Sequence, residues 1–133
     1  MAFQFSDSAV HGALDAIETA IGTDAILRIR TGTVPATCAS ADSGTVLAEM
    51  TLPSDWLAAA TGRAKAKSGT WQDASANGTG TAGHFRIYNA AGTVRHIQGT
   101  CGQGTGDLQL DNTSIATGQS VTITSFTISG PAE

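Results

Sequence analysis

The sequence is poor in charge. Only 14% of its 133 residues are Asp, Glu, Lys or Arg, against ~25% in an average soluble protein. Seven basic residues face eleven acidic ones, for a net charge of -4. That balance lacks the strongly positive face that holds a nucleic-acid backbone. No apolar run is long enough to span a membrane. The start, Met1 to Asp7, has neither the positive cluster nor the apolar stretch of a signal peptide. The expectation is a protein made and kept in the cytosol, with no nucleic-acid or membrane partner. Cysteine is scarce, and in that reducing setting Cys38 and Cys101 are expected to be free thiols. Low charge does not bring disorder, because 41% of the residues are hydrophobic.

Gly, Thr, Ser and Ala fill the deficit. A chain of this length favours one domain, residues 1–133, with a core large enough to fold without staples. Only the N-terminal region has a helical period. Val10, Leu14, Ile17 and Ile21 follow i, i+4, i+7, i+11 and predict a helix over about residues 8–21. Ser6 or Ser8 stands where an N-cap is needed, and Gly22 where a left-handed C-cap is needed. From residue 25 to about 129 the period is two. Ile26 to Thr31, Thr45 to Leu52, Thr70 to Asp73, Phe85 to Tyr88, Thr93 to Gln98 and Gln119 to Ile128 read as strands. Val46, Ala48, Met50 and Leu52 alternate onto one side. In the last strand Val121 and Ile123 share one face, Phe126 and Ile128 the other. A bulge near Thr124 or Ser125 would turn all four inward. Asn89 to Gly92 reads as a hairpin turn, with Phe85, Ile87 and one face of Val94 to Ile97 buried. Its loop length sets Arg86 opposite Arg95, which needs an acidic neighbour. The fold class expected is all-β: an antiparallel, jelly-roll-like sandwich with one N-terminal helix.

The stretch Gly99 to Leu110, "GTCGQGTGDLQL", raises the question of a phosphate loop. Gly102, Gly104 and Gly106 are spaced by two, no Lys-Ser or Lys-Thr follows, and the next residues alternate as a strand does. It reads as a strand-connecting turn. His11, His84 and His96, with Cys38 and Cys101, show no close metal-ligand spacing. No Ser lies in a nucleophile elbow. Asp7, Asp15 and Glu18 read as the solvated side of the helix. No catalytic residue, cofactor or metal is expected, and the chain is not expected to be an enzyme. One charge pattern stands out. Arg63, Lys65 and Lys67 are spaced by two and would line one strand face, either protecting an edge or meeting an acidic protein surface. With Arg86 and Arg95 they are the expected partner-binding residues. The helix face of Val10, Leu14, Ile17 and Ile21 is a second candidate for a contact surface.

Four stretches carry a resemblance: "LRIRTGTVPA", "GTVLAEMTL", "GTAGHFRIYNAAGTVRHIQG" and "GDLQLDNTSIATGQSVTITSFTIS". Together, from Leu27 to Ser129, they resemble a family of small structural proteins of tailed bacteriophages, most specifically over Asp107 to Ile128. The resemblance implies a virion component without catalysis, assembled in the bacterial host cytoplasm. Small β-proteins of this kind act as capsid cement or decoration, which implies binding to the major capsid protein, to further copies, or to both in a symmetric assembly. The alternative is a tail or fibre module that binds another tail protein, or a cell-surface glycan through exposed Trp56, Trp71 or Tyr88.

Overall fold

The computed structural model describes residues 3–130, so the ends of the expected 1–133 domain lie outside the described residues. Helix α1 spans Asp7–Ile21. The Ser6 hydroxyl accepts from the Ala9 N–H at 3.1 Å, and Gly22, at φ 90°, closes the other end by donating to the Glu18 carbonyl. Ten strands follow: β1 Ile26–Arg30, β2 Val46–Thr51, β3 Ala64–Ala66, β4 Gln72–Asp73, β5 Gly80–Thr81, β6 His84–Tyr88, β7 Arg95–Gly102, β8 Leu108–Leu110, β9 Ser114–Ile115 and β10 Val121–Ser129. Mostly β with one N-terminal helix is therefore what the sequence led us to expect.

The strands form one eight-stranded sheet in the order β2-β1-β6-β7-β8-β10-β3, with β4 also on β10, and a separate β5-β9 ribbon. The sheet curls until its margins meet. Glu49 N–H donates to Asp73 Oδ2 at 3.0 Å, and the Asn77 and Gly78 amides both reach the Leu47 carbonyl. It is also mixed: β7 and β8 run parallel, Cys101 beside Leu108 and Gly102 beside Gln109, where only antiparallel pairing was expected.

The core lies inside the curl. Leu27 and Ile29 of β1, Leu47, Ala48 and Met50 of β2, Phe85 and Ile87 of β6, and Leu108 and Leu110 of β8 all bury there. The rings of Trp56, Trp71, Phe126 and Phe85 form a chain through it, with successive centroids 5.5–6.0 Å apart. Two bulges tune what faces inward. Between β10 and β8 the register slips from Ile123↔Leu110 to Ser125↔Gln109, so Thr124 is the extra residue. Val121, Ile123 and Phe126 are then buried and Ile128 is half-buried, as a bulge at this place requires. A second slip, between Ile29 and Arg30, breaks the expected alternation of β2, so that Leu47 is buried while Val46 is only half-buried.

Helix α1 packs beside β3. Val10, Leu14 and Ile21 are buried, but Ile17 is 41% exposed. The helix is rolled toward the side carrying His11, Asp15 and Glu18, which engage β3 and its flanks, so Ile17 falls on the outer margin of the stripe. In the hairpin, Phe85 and Ile87 are buried as expected, whereas Val94 is 47% exposed and Ile97 half-buried. Asn89 explains the shift: its Oδ1 accepts from the amides of both Thr93 and Val94, which keeps Val94 in the turn.

Candidate functional site

Strand alternation gives β1, β6 and β7 a second face. Opposite the core it carries Arg28 and Arg30 from β1, His84, Arg86 and Tyr88 from β6, and Gln98 from β7. The chain between β1 and β2 folds over this face. All five residues of β6 are buried as a result, two against the core and three beneath this cover.

Arg86 is the pin. It has no solvent exposure. Its Nη1 donates to the Ser40 carbonyl and to Asp42 Oδ1, both at 2.8 Å; its Nη2 donates to the Thr37 carbonyl at 3.1 Å and to Gln98 Oε1 at 2.9 Å. Gln98 in turn donates to the Pro35 carbonyl at 2.8 Å. One planar guanidinium thus holds three points of the covering segment, a geometry that a lysine ammonium does not reproduce. Asp42 is the counter-charge. Its Oδ1 also accepts from Tyr88 Oη at 2.8 Å and Arg95 Nε at 3.2 Å, and its Oδ2 meets Arg30 Nη2 at 3.3 Å. Partial burial pushes its pKa up, but hydrogen bonds from Tyr88 and Arg86, the charge of Arg30 and the bond from Arg95 outweigh this and set the carboxyl below its ordinary value. Beside them Arg28 pairs with Glu49 and lies 4.5 Å over the Tyr88 ring. Arg30 Nε, Arg86 Nε and His84 Nε2 are buried without a hydrogen-bond partner among the described residues.

The expected pairing of Arg86 with Arg95 is therefore corrected. Arg86 stands opposite Gln98, and Arg95 opposite Tyr88, because the register slips after Ile87. The acidic neighbour that such charges need is present, and it is Asp42. Nothing in the local sequence links Asp42 to β6.

The basic triplet does not form the charged strand face expected of it. Lys65 is 3% exposed and donates to Asp15 Oδ1 at 2.7 Å, with Glu18 Oε1 at 3.0 Å. Its burial lowers the ammonium pKa, yet hydrogen bonds to Asp15 and Glu18 outweigh this and raise it above 10.5. Arg63 precedes β3 at a left-handed φ of 64° and pairs with Asp7 at 2.6 Å. Lys67 donates to the Gly69 carbonyl and lies 5.9 Å from the centre of the Trp71 ring. The triplet ties down α1 and the next turn; Asp7 and Asp15 stay solvated as expected while pairing with it, and only Glu18 is largely covered. The three aromatics suggested for stacking on sugars are also inside: Trp56 and Trp71 are 0% exposed and Tyr88 1%.

The glycine run fills its own concavity. A Cβ on Gly102 would lie 2.4 Å from the Thr105 carbonyl oxygen, and one on Gly99 would lie 2.7 Å from Asp107 Oδ2 and 2.8 Å from Phe85 Cε1. The loop folds back so tightly that β8 re-enters parallel to β7 after residues 103–107, where a parallel neighbour ordinarily needs a dozen or more connecting residues. Asp107 Oδ2 fastens it by accepting from both Thr100 N and Thr100 Oγ1 at 3.0 Å. This leaves no cradle for a phosphate.

Among the described residues no three His, Cys, Asp or Glu side chains gather as metal ligands. His84 Nδ1 meets the Gly32 carbonyl and His11 Nε2 accepts from Arg63 N, so both serve the fold. Cys38 and Cys101 are unbridged. Burial and the nearby Asp107 charge push the Cys101 thiol up to about 12, which leaves it a poor nucleophile at neutral pH. A cleft of about 330 Å³ at the end of α1 brings together Glu18 and Asp55. The Glu18 oxygens are already engaged by Lys65 and by the Leu57 N–H. Comparison with protein-family models, with curated proteins and with solved structures finds no match.

Proposed function

We propose that this chain is a structural component of a tailed-phage virion, a cement or decoration protein that binds the major capsid protein and stabilises the head. The observation that carries the reading is the double lock on the sheet. One face is closed by the aromatic core and the other by Arg86 and Asp42, so β6 is held from both sides. A clip between capsomers works by rigidity, because its contacts must break before a pressurised shell opens, and modest contacts multiply over many copies. The sequence likeness from Leu27 to Ser129 supports the same reading. Its most specific part, Asp107 to Ile128, builds β8 and most of β10, the strands that join the two halves of the sheet, with β9 of the separate ribbon between them in the chain. The finer description of the fold, a jelly-roll-like sandwich, belongs to the same proposal, with the two sides of the curl as its layers.

The burial of Lys65 and Arg86 takes both out of the contact surface proposed here. Arg95, half-exposed and bound to Asp42 through Nε, is the basic residue best placed to meet an acidic partner. Exposed charge pairs add only ~0.2–1 kcal/mol each, so apolar contacts must supply the rest. The test is a particle assembled without this protein, then heated or osmotically shocked. Faster loss of DNA than from complete particles, reversed by adding the purified protein, is expected. Equal loss from both, with no binding of the added protein, would remove the head reading and leave a tail or fibre location.

A further inference from the structure

The sheet has a gap. Strand β8 touches β7 only at Cys101 and Gly102, and touches β10 only from Ile123 to Phe126. Residues 95–99 of β7 have β6 on one side, and residues 127–129 of β10 have β3 on one side; among the described residues neither stretch has a strand on the other. Between them lies a cleft of about 440 Å³ with polar walls, Gln98, Asp107, Gln109 and Thr127, and an apolar strip at Ile97 and Ile128; the adjoining Phe85 and Phe126 are buried. Ile97 and Ile128 are the half-buried margin of the core. Unpaired strand edges beside exposed core are what an added strand satisfies, the backbone through the ladder and the apolar strip through alternate side chains.

The chain carries a segment of matching chemistry. Phe3 and Phe5, 79% and 45% exposed, are two of the four large exposed hydrophobics among the described residues. Of the others, Ile17 is fixed on α1 and Val94 in the hairpin turn. Phe3 and Phe5 alone lie outside helix, sheet and turn, and their spacing of two is the period of a strand. Gln4, between them, would point away from the two rings on a strand. Within its own molecule the segment is not in that slot: Phe5 lies against Ala9, Val10 and Ala13 at the start of α1, with the Phe3 ring 5.3 Å away.

We propose that the slot between β7 and β10 receives Phe3 to Phe5 of a second copy of the chain, as an added strand with both phenyl rings on the Ile97–Ile128 strip. The chain then associates with itself by strand addition, whether or not it sits in a virion.

Light scattering of the full chain over a concentration series should show a mass that rises above that of the monomer. The variant Phe3→Ser leaves the Phe5 contact with the start of α1 in place, so its circular dichroism should be unaltered while self-association weakens at least about tenfold. A disulfide trap then locates the contact. In a Cys38→Ser background, Gln4→Cys with Thr127→Cys, two positions on the face away from Ile128, should oxidise to a bridge between chains, placed by peptide mass mapping. A monomer at every concentration, self-association untouched by Phe3→Ser, a bridge confined to one chain, or no bridge between positions 4 and 127 would each overturn the proposal.

Discussion

Single residues decide how much of this fold holds. Arg86 is buried and satisfies three groups of the covering segment together with Gln98. Arg86→Ala would leave those carbonyls and the Asp42 carboxylate short of a donor, and a loss of about 3–5 kcal/mol is expected in denaturant melts, the range for breaking a buried pair from one side. Arg86→Lys should recover only part of it, because one ammonium cannot serve both forks. The glycines divide by cause. At Gly102 a methyl group would meet backbone, the Thr105 carbonyl oxygen at 2.4 Å, whereas at Gly104 it would meet nothing within 4 Å and only the φ of 75° is unfavourable. Gly104→Ala should therefore cost ~1–2 kcal/mol. Gly102→Ala should cost clearly more in the same melts and should loosen the parallel pairing, seen as faster amide exchange at Leu108. The sequence shows that this run turns the chain. It does not show a parallel return, because that depends on the backbone approach and not on residue type.

At the scale of elements, legibility follows how local each cause is. Helix α1 is legible because its cap, stripe and terminal glycine lie within seventeen residues, Ser6 to Gly22. The bulge in β10 is legible because four apolar residues of one strand otherwise face two ways. The cover over β1, β6 and β7 is not, since Asp42 and Arg86 meet only after the sheet has formed, and the alternation that places Arg86 opposite the core says nothing of a loop above it. The same blindness affects Lys65, whose spacing from Arg63 and Lys67 signals an exposed face until α1 lies across it. The β6–β7 hairpin offers a direct check. Phe85 is 1% exposed and packs edge-on to Phe126, centroids 5.6 Å apart. Phe85→Ala should cost about 3–5 kcal/mol, and a loss under ~1 kcal/mol would mean that the core closes without it.

For the whole molecule, the ion pairs predict how stability follows acid. Asp42 is held below its ordinary pKa in the fold. A carboxyl so placed adds stability that is present above its unfolded value and is lost as pH falls through the folded one. Stability should decline from about pH 4 downward, with the covering segment released first. Urea melts across that range should show the decline in the parent protein and a shallower one in Asp42→Asn, which starts from a lower plateau. A parent curve flat down to pH 2 would mean that the three arginines at Asp42 do not hold the cover.

Strand β10 has one further consequence, for the order of events during synthesis. It pairs with β8, β3 and β4, and all three precede it in the chain. Until it leaves the ribosome, the β2-β1-β6-β7 half is complete but has nothing to curl against, while β3 and β4 have no neighbour in the sheet. A nascent chain of this protein is thus an open ribbon with its apolar face uncovered for most of its growth. Closure is a single late event of long sequence separation, the kind that is slow and leaves sticky surface waiting. Nascent chains arrested before Val121 should hold chaperones, and those arrested well past Ser129 should release them.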